Sequence, residues 1–205
     1  MSNKIIKRCY YAFEIETLSP LNTSSGLNVN SDNDIFRNGL GEVVVTGTSL
    51  AGSFRSYLYN PNNSKKEQKF GIRNNDGGKM SSFNISDLCL RETKVSLRDN
   101  VSLTDKKTVD NKFDSEIVET GANGILYINY LVRENDENKD CFDAIINDIY
   151  CGINNGSIRL GRKKNRGFGL IKINPNESYF KCFDMTSDNF NIENYIAFKS
   201  SYKDI

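Results

Sequence analysis

The chain has 205 residues, of which 38% are hydrophobic and 26% are charged, a balance that excludes a disordered protein and favours one soluble domain with insertions. The 27 Lys and Arg residues nearly cancel the 26 Asp and Glu residues, so the net charge of +1 by itself gives no support to nucleic-acid binding. The sequence contains no histidine, which excludes the imidazole acid–base pairs of many ribonucleases and the usual Ser/His and Cys/His nucleophiles.

The five cysteines stand at positions 9, 89, 141, 151 and 182. No two of them form a Cys-x-x-Cys pair, and no histidine is present to complete a zinc site, so we expect reduced, mostly buried thiols. Residues 1–13 lack an uninterrupted apolar run, which argues against a signal peptide or a membrane span. We therefore expect a cytoplasmic protein with no membrane partner.

The first predicted element is a half-buried strand that ends at Pro20. Its apolar residues alternate along the chain: Ile5, Cys9, Tyr11, Phe13 and Ile15. Residues 22–38 are rich in Asn, Ser, Gly and Asp, which favour turns, and predict a mobile loop that contains Asp32 and Asp34.

A short strand at residues 43–45 and a helix are predicted next. Either Thr48 or Ser49 can cap this helix, and Pro61 ends it. The residues that share one helical face are Leu50, Phe54, Tyr57 and Leu58.

The middle of the chain divides into an insertion, two strands and a hairpin. Residues 62–83 are polar and predict a flexible insertion. Residues 87–97 and 124–132 predict central strands, joined by a long β-hairpin over about residues 99–121.

The last third of the chain predicts a second amphipathic helix, a basic loop and a strand at residues 168–173. The apolar positions of the helix recur at helical spacing: Phe142, Ile145, Ile146, Ile149 and Ile153. Residues 174–205 form an extension with enough apolar residues to pack on this domain or on a neighbour. The order of elements predicts an α+β protein, with a ferredoxin-like (RRM-like) split βαβ core.

The basic loop, residues 161–169, reads GRKKNRGFG. Its three glycines allow tight turns and close approach of backbone N–H groups to a ligand, and four cations in five residues supply charge for a polyanion. A helix precedes this loop and a strand follows it, which excludes a Walker loop and a dinucleotide fingerprint. A solvated basic turn remains the alternative interpretation.

A second motif, VVTGTSLAGSFR at residues 44–55, stands far upstream. Together with the GRKKNRGFG loop it resembles the RAMP superfamily of CRISPR effector proteins, although Thr46 replaces the usual proline. Phe70-Gly71 resembles a short Phe-Gly element of that family, and residues 97–101 with 113–121 resemble the strand and hairpin insertion of type III backbone subunits. The resemblance covers about residues 5–173 and implies one RAMP domain whose hairpin is a thumb.

The resemblance also implies a catalytic aspartate. The family pattern of an aspartate, four residues and an arginine before the Thr-Gly motif falls on residues 32–37, so Asp32 takes the position of the catalytic residue in subunits that cut target RNA. The family chemistry implies that this carboxylate holds Mg²⁺ or takes the 2′-hydroxyl proton. The alternative is that Asp32 and Asp34 only stabilise turns.

Two further sets of residues are candidates for RNA contact. Thr48, Ser49 and Arg55 could bind an RNA phosphate at the start of the first helix. The alternative is that the hydroxyl residues form an ordinary N-cap and that Arg55 is exposed to solvent. The guide backbone would be held by five cations of the last third of the chain: Arg159, Arg162, Lys163, Lys164 and Arg166.

The hairpin supplies apolar side chains that could unstack a nucleotide. These side chains are Val101, Leu103, Val109 and Phe113. The resemblance implies that they form a wedge which pushes nucleotides out of the guide–target duplex at regular intervals, whereas the alternative is a small hydrophobic cluster under a long loop.

These observations favour a backbone subunit of a type III complex that binds guide CRISPR RNA and cleaves complementary target RNA as a metal-dependent endoribonuclease. Its expected partners are the two RNAs, copies of itself and other type III effector subunits. Two alternatives stay open: a non-catalytic structural backbone subunit, and a ribonuclease that processes the guide transcript.

Overall fold

The computed structural model describes residues 4–24, 26, 31–59, 66–74, 77–103, 105, 108–186 and 196–197. In chain order the elements are β1 (Ile5–Thr17), β2 (Val44–Val45), α1 (Gly47–Leu58), a 3-10 helix (Lys66–Phe70), β3 (Ile72–Asn74), β4 (Gly77–Lys79), β5 (Phe83–Ile85), β6 (Leu88–Cys89), β7 (Val95–Leu103), β8 (Val109–Val118), β9 (Asn123–Arg133), α2 (Cys141–Asn154), a second 3-10 helix (Lys164–Arg166), β10 (Ile171–Asp184) and β11 (Ile196–Ala197). Within the described ranges, no helix is long and apolar enough to cross a membrane.

The main sheet has five antiparallel strands in the order β11-β10-β1-β9-β5. The first strand forms the centre because β10 and β9 pair with its two edges along most of its length. Its odd-numbered residues from Cys9 to Ile15 are buried, which confirms the predicted alternation. The protein is therefore a mixed α/β chain built mainly of antiparallel strands.

Both predicted helices are present and share one hydrophobic core with the sheet. All five predicted apolar positions of α2 are buried. In α1, Leu50, Phe54 and Leu58 are buried, whereas Tyr57 is partly exposed. The helical spacing thus identified the inward faces of both helices.

The prediction of a central strand over residues 87–97 is wrong. Leu88 and Cys89 pair only with β2 in a separate two-stranded sheet, and Val95 begins the hairpin strand β7. The hairpin β7–β8 forms its own two-stranded sheet, in which Val95 pairs with Val118 and Leu103 pairs with Val109. Of the two predicted central strands, only the segment now seen as β9 lies in the main sheet.

The strand predicted at residues 168–173 is longer and starts later than expected, as β10. It continues into the predicted C-terminal extension because its residues keep pairing with β1 as far as Asp184. The rest of the extension lies outside the described residues, apart from residues 185–186 and β11. The predicted insertion contains the first 3-10 helix and the small β3–β4 sheet, with residues 62–65 and 75–76 outside the description.

The prediction of reduced, mostly buried thiols is wrong for this structure. Cys9 and Cys182 are opposite each other on β1 and β10 and form a disulfide. Of the free cysteines, Cys89 is exposed, and Cys141 and Cys151 are partly buried. The alternation that placed Cys9 on the inner face of β1 was correct, but its partner on β10 could not be found without the strand pairing.

Candidate nucleic-acid interface

At the start of α1, two backbone N–H groups donate hydrogen bonds to side chains of the same protein. Thr46 is the N-cap, and its Oγ1 accepts from the Ser49 N–H at 3.4 Å, so the prediction that Thr48 or Ser49 caps this helix is wrong. The Gly47 N–H donates to Asp87 Oδ1 at 2.7 Å. A Cβ on Gly47 would lie 2.2 Å from the carbonyl oxygen of Ile85, which explains the glycine. Thr48 and Ser49 remain exposed at this end of the helix.

Two glycines of the GRKKNRGFG loop allow backbone to approach backbone. A Cβ on Gly161 would lie 2.3 Å from the Asn22 carbonyl oxygen, and a Cβ on Gly169 would lie 1.9 Å from that of Leu160. The next amide, that of Arg162, donates to Asn22 at 2.8 Å. Gly161 therefore lets the loop lie against residue 22, and Gly169 lets the end of the loop lie against Leu160 at its start. The prediction of N–H groups aimed at a ligand had missed these roles.

A cavity of about 390 Å³ lies between α1 and this loop. One wall is a face of the helix with small residues, and the opposite wall contains Arg162 and Lys164. The residues of the helical wall are Ser49, Gly52, Ser53 and Ser56. Lys164 Nζ donates to Ser53 Oγ at 3.0 Å, and burial lowers the pKa of Lys164. The structure thus brings together the two sequence motifs that lie more than 100 positions apart.

Arg162 is the cation best placed to bind an anion in this cavity. Its side chain is exposed, and in the described part of the chain it forms no ion pair with a carboxylate. Hydroxyl groups on the opposite wall can donate to the same anion. A cationic wall facing donor hydroxyls has the chemistry of a phosphate-binding surface.

Lys163 points away from the cavity, toward the hairpin. Its backbone has a left-handed φ of 57°. The Nζ donates to Ser115 Oγ at 3.0 Å and lies 5.7 and 5.8 Å from the ring centroids of Phe113 and Phe168. Burial, and then the nearby charges of Arg166 and Arg98, lower the pKa of Lys163. Lys163 therefore connects the loop to the hairpin rather than to the cavity.

The other predicted cations are dispersed. Arg159 is partly buried and Arg166 is exposed, and neither lines the cavity. Arg55 lies in the last turn of α1, away from Thr48 and Ser49, and lines a second cavity of about 400 Å³. Because Gly52 and Ser56 line both cavities, the two form adjoining depressions along the same helix.

Asp32 lies in a loop that rests on the hairpin. Its backbone N–H donates to Asp114 Oδ1 at 2.7 Å, and the Asp114 N–H donates to Asp32 Oδ2 at 3.0 Å. Asp34 is buried and accepts from both the N–H and the hydroxyl of Ser31 at 2.8 Å, so it stabilises the turn, as the alternative interpretation expected. Asp32 remains exposed.

A second contact with the hairpin holds the end of this loop. Arg37 donates to both carboxylate oxygens of Glu116, at 2.9 and 3.2 Å, and the Ile35 N–H donates to Glu116 Oε2 at 3.1 Å. Hydrogen bonding to Glu116 raises the pKa of Arg37. Sequence reasoning missed the contact of Asp114 with Asp32 and the contact of Glu116 with Arg37 of the same loop. The alternation of acidic residues on β8 was the available signal, but it did not indicate which segment they face.

The loop of Asp32 and the hairpin supply two carboxylates of the ligand type that Mg²⁺ prefers. Mg²⁺ is commonly bound through one or two carboxylates, with water and substrate phosphate supplying the other ligands. Asp32 and Asp114 are two such carboxylates, held together by their reciprocal backbone hydrogen bonds. Among the described residues, no three or more His, Cys, Asp or Glu side chains are grouped so that they could hold a metal ion, so water and an RNA phosphate would have to complete the ligand set.

The four predicted wedge residues do not form one apolar surface. Val101 and Val109 are 48% and 57% exposed near the hairpin tip. Phe113 pairs with Asn100, next to Val101 in the strand, and therefore lies on the opposite face, beside Lys163. The side chain of Leu103 lies outside the described structure. The exposed part of the predicted wedge is therefore Val101 with Val109.

Comparisons with known proteins agree with this architecture. A family model described as the RAMP superfamily matches residues 14–172. Among solved structures, the chain is similar to one in the cryo-EM structure of the Type III-B Cmr-beta bound to cognate target RNA, with a TM-score of 0.65 and 15% identity. The alignment covers 87% of this chain and 61% of that chain, and at this identity it shows a shared fold. No curated protein matches the sequence.

Proposed function

This chain belongs to the RAMP superfamily, and we propose that it is a guide-RNA-binding backbone subunit of a type III CRISPR interference complex that cleaves complementary target RNA. The observation that carries the proposal is the cavity in which Arg162 and Lys164 face the hydroxyl-rich side of α1. The likeness to a chain of a target-bound Cmr-beta complex supports the same assignment. The strand order and the two helices further support a ferredoxin-like split βαβ core.

Guide RNA is held through its backbone. Arg162 and Lys164 neutralise phosphates in the cavity that Ser49 also lines, and Arg55 continues the contact in the adjoining cavity along α1. Thr48, exposed at the start of α1, adds a hydroxyl group beside the cavity. Arg159 and Arg166 add positive charge around the same loop. Contacts of this kind do not depend on base identity, because base pairing between guide and target supplies the sequence specificity.

Target cleavage uses the nucleophile that RNA carries. The protein holds the strand so that a 2′-hydroxyl lies behind the scissile phosphorus. The 2′-oxygen bonds to phosphorus as the bond to the 5′-oxygen breaks, so the products are a 2′,3′-cyclic phosphate and a 5′-hydroxyl that takes its proton from water. Asp32 accepts the 2′-hydroxyl proton, or would hold Mg²⁺ together with Asp114. Bound Mg²⁺ would supply neutralisation of the phosphate charge. The exposed Val101 and Val109 unstack the nucleotide next to the cleaved bond.

The regular spacing of cuts follows from repetition of the subunit. Copies of the chain bind along one guide RNA through a heterologous interface that does not close into a ring, together with other type III subunits. Each copy then presents one Asp32 loop and one hairpin to the target. The spacing between cuts equals the length of RNA bound by each copy.

A specific observation favours one second candidate, a structural backbone subunit that does not cut. The carboxylate of Asp32 accepts a hydrogen bond from the Asp114 backbone, which is also what a residue that only fastens a loop would do. Binding of guide RNA and assembly would then be unchanged. Cleavage of a paired target separates the two candidates.

Assembly on guide RNA tests the first step of the proposal. The chain is mixed with guide RNAs of increasing length, and the mass of the complexes is measured by sedimentation in rising salt. We expect one further copy to bind for each added segment of RNA, with an affinity that falls steeply with salt. A single bound chain at every length, together with cleavage of the guide transcript, would instead identify a processing ribonuclease.

A further inference from the structure

The hairpin strand β8 contacts two different functional segments with its two faces. Phe113 and Ser115 face Lys163 of the GRKKNRGFG loop. The intervening Asp114 and the following Glu116 bind the loop that contains Asp32. Because side chains alternate along a strand, four consecutive residues connect the basic loop to the Asp32 loop.

Of these four residues, Glu116 makes the most hydrogen bonds to the Asp32 loop. Its side chain is 8% exposed, and its two oxygens accept three hydrogen bonds, two from Arg37 and one from the Ile35 amide. The Glu116 N–H also donates to the Asn33 carbonyl at 3.1 Å. The backbone is therefore fixed just after Asp32 by Glu116, and at Asp32 itself by Asp114.

We propose that Glu116 is a positioning residue for Asp32, and that through β8 it fixes the Asp32 loop relative to the basic loop that holds the guide. The inference rests on the proposed function, because Asp32 must act on RNA for its position to matter. The carboxylate of Glu116 accepts its hydrogen bonds from the Ile35 amide and from Arg37. Glu116 therefore acts through the loop rather than on RNA.

The physical reason for such a clamp is the strict geometry of in-line attack. A 2′-hydroxyl, a phosphorus atom and a carboxylate must be aligned, and a displacement of about 1 Å can cost roughly a hundredfold in rate. A loop of small polar residues cannot hold such a position by its own packing. The bidentate ion pair and the amide hydrogen bond supply the missing constraint.

The test uses the guide-loaded complex with Glu116→Gln, and Glu119→Gln as the matched control. Glu119 follows the same strand, but its carboxylate pairs with Arg98 at 3.1 Å and not with the loop. A second variant, Arg37→Lys, keeps the positive charge but loses the bidentate hydrogen bonds to Glu116. It tests the same contact if the Glu116→Gln protein does not fold. Single-turnover cleavage rate, target Kd and hydrogen exchange at the Ile35 amide are measured for each.

We expect Glu116→Gln and Arg37→Lys to lower the single-turnover rate at least about tenfold, with target Kd within about twofold of wild type. Exchange at the Ile35 amide should become faster in both, and Glu119→Gln should match wild type in all measurements. Equal cleavage rates in wild type, Glu116→Gln and Arg37→Lys would overturn this inference alone. A wild-type complex that binds target without cutting it would overturn the proposed nuclease, and the inference with it.

Discussion

At Gly169 a single methyl group would decide whether the basic loop can form. The residue has a φ of +78°, and its Cβ would overlap the Leu160 carbonyl oxygen. We predict that Gly169→Ala lowers the free energy of unfolding by about 3 kcal/mol or more, the sum of left-handed strain and overpacking. Gly167→Ala is the matched control, because its φ is +86° but nothing lies within 4 Å of the added Cβ. Gly167→Ala should lower the free energy of unfolding by only about 1 kcal/mol.

Urea unfolding of the two variants and the wild type measures both effects. Equal losses for Gly167→Ala and Gly169→Ala would mean that only backbone strain matters, and that the loop does not approach Leu160 as closely as described.

Arg162 tests the cavity as a phosphate site. We predict that Arg162→Ala makes the dependence of guide-RNA affinity on salt less steep, by about 0.7 to 1 in the log–log slope, because one phosphate contact is lost. Arg91→Ala is the control, since Arg91 is paired with Glu14 at 2.6 Å and does not line the cavity. An unchanged slope for Arg162→Ala would exclude a phosphate contact at this residue.

The types of residue in the site could be predicted from the sequence, but their partners could not. The loop glycines and the cations were evident as a motif, whereas the contact of Gly161 with Asn22 joins positions 139 residues apart by number. The same holds for Asp32, whose contacts with Asp114 depend on how a loop and a hairpin pack. Lys163 looked equivalent to Lys164 in the sequence, but in the structure its backbone is left-handed and its side chain contacts the hairpin.

Polar substitutions at the hairpin tip should have little effect on the stability of the fold. Val101 and Val109 are exposed, so the double change Val101→Ser and Val109→Ser should alter the free energy of unfolding by less than about 1 kcal/mol. We predict that target RNA is still bound but that cleavage slows, because the nucleotide stays stacked. Cleavage rate and fluorescence of a base analogue at the cut site measure the effect.

Val95→Ser serves as the control in the same hairpin. Val95 is 40% exposed and lies at the opposite end of β7 from the tip. Slower cleavage in Val95→Ser, equal to that of the tip variant, would mean that the hairpin acts through its stability rather than through a wedge.

Elements with one buried face were predicted correctly because burial produces a regular pattern. The odd positions of β1 and the apolar stripe of α2 are examples. The pattern misled at residues 87–97, where Val95 and Leu97 are apolar but largely exposed in the hairpin. Apolar side chains on an exposed strand face have the same period as those that face a core.

For the whole molecule, the order of helices and strands was predictable, while the division into several sheets was not. The sequence order placed β1, α1, β9, α2 and β10 correctly. Strand neighbours depend on contacts between distant segments, such as Cys9 with Cys182. The sequence therefore did not show that the hairpin forms a sheet of its own. Because the hairpin is separate from the main sheet, it can lie between the basic loop and the Asp32 loop.

Cleavage of a matched, end-labelled target RNA by the guide-loaded complex with Mg²⁺ tests the proposed nuclease and the role of Asp32 together. Wild type is compared with Asp32→Ala and with Asp140→Ala, an exposed aspartate at the start of α2 that makes no capping hydrogen bond. We predict evenly spaced products for wild type and Asp140→Ala, and none for Asp32→Ala, with target binding equal in all three. Products of unchanged spacing and rate from Asp32→Ala would contradict this prediction.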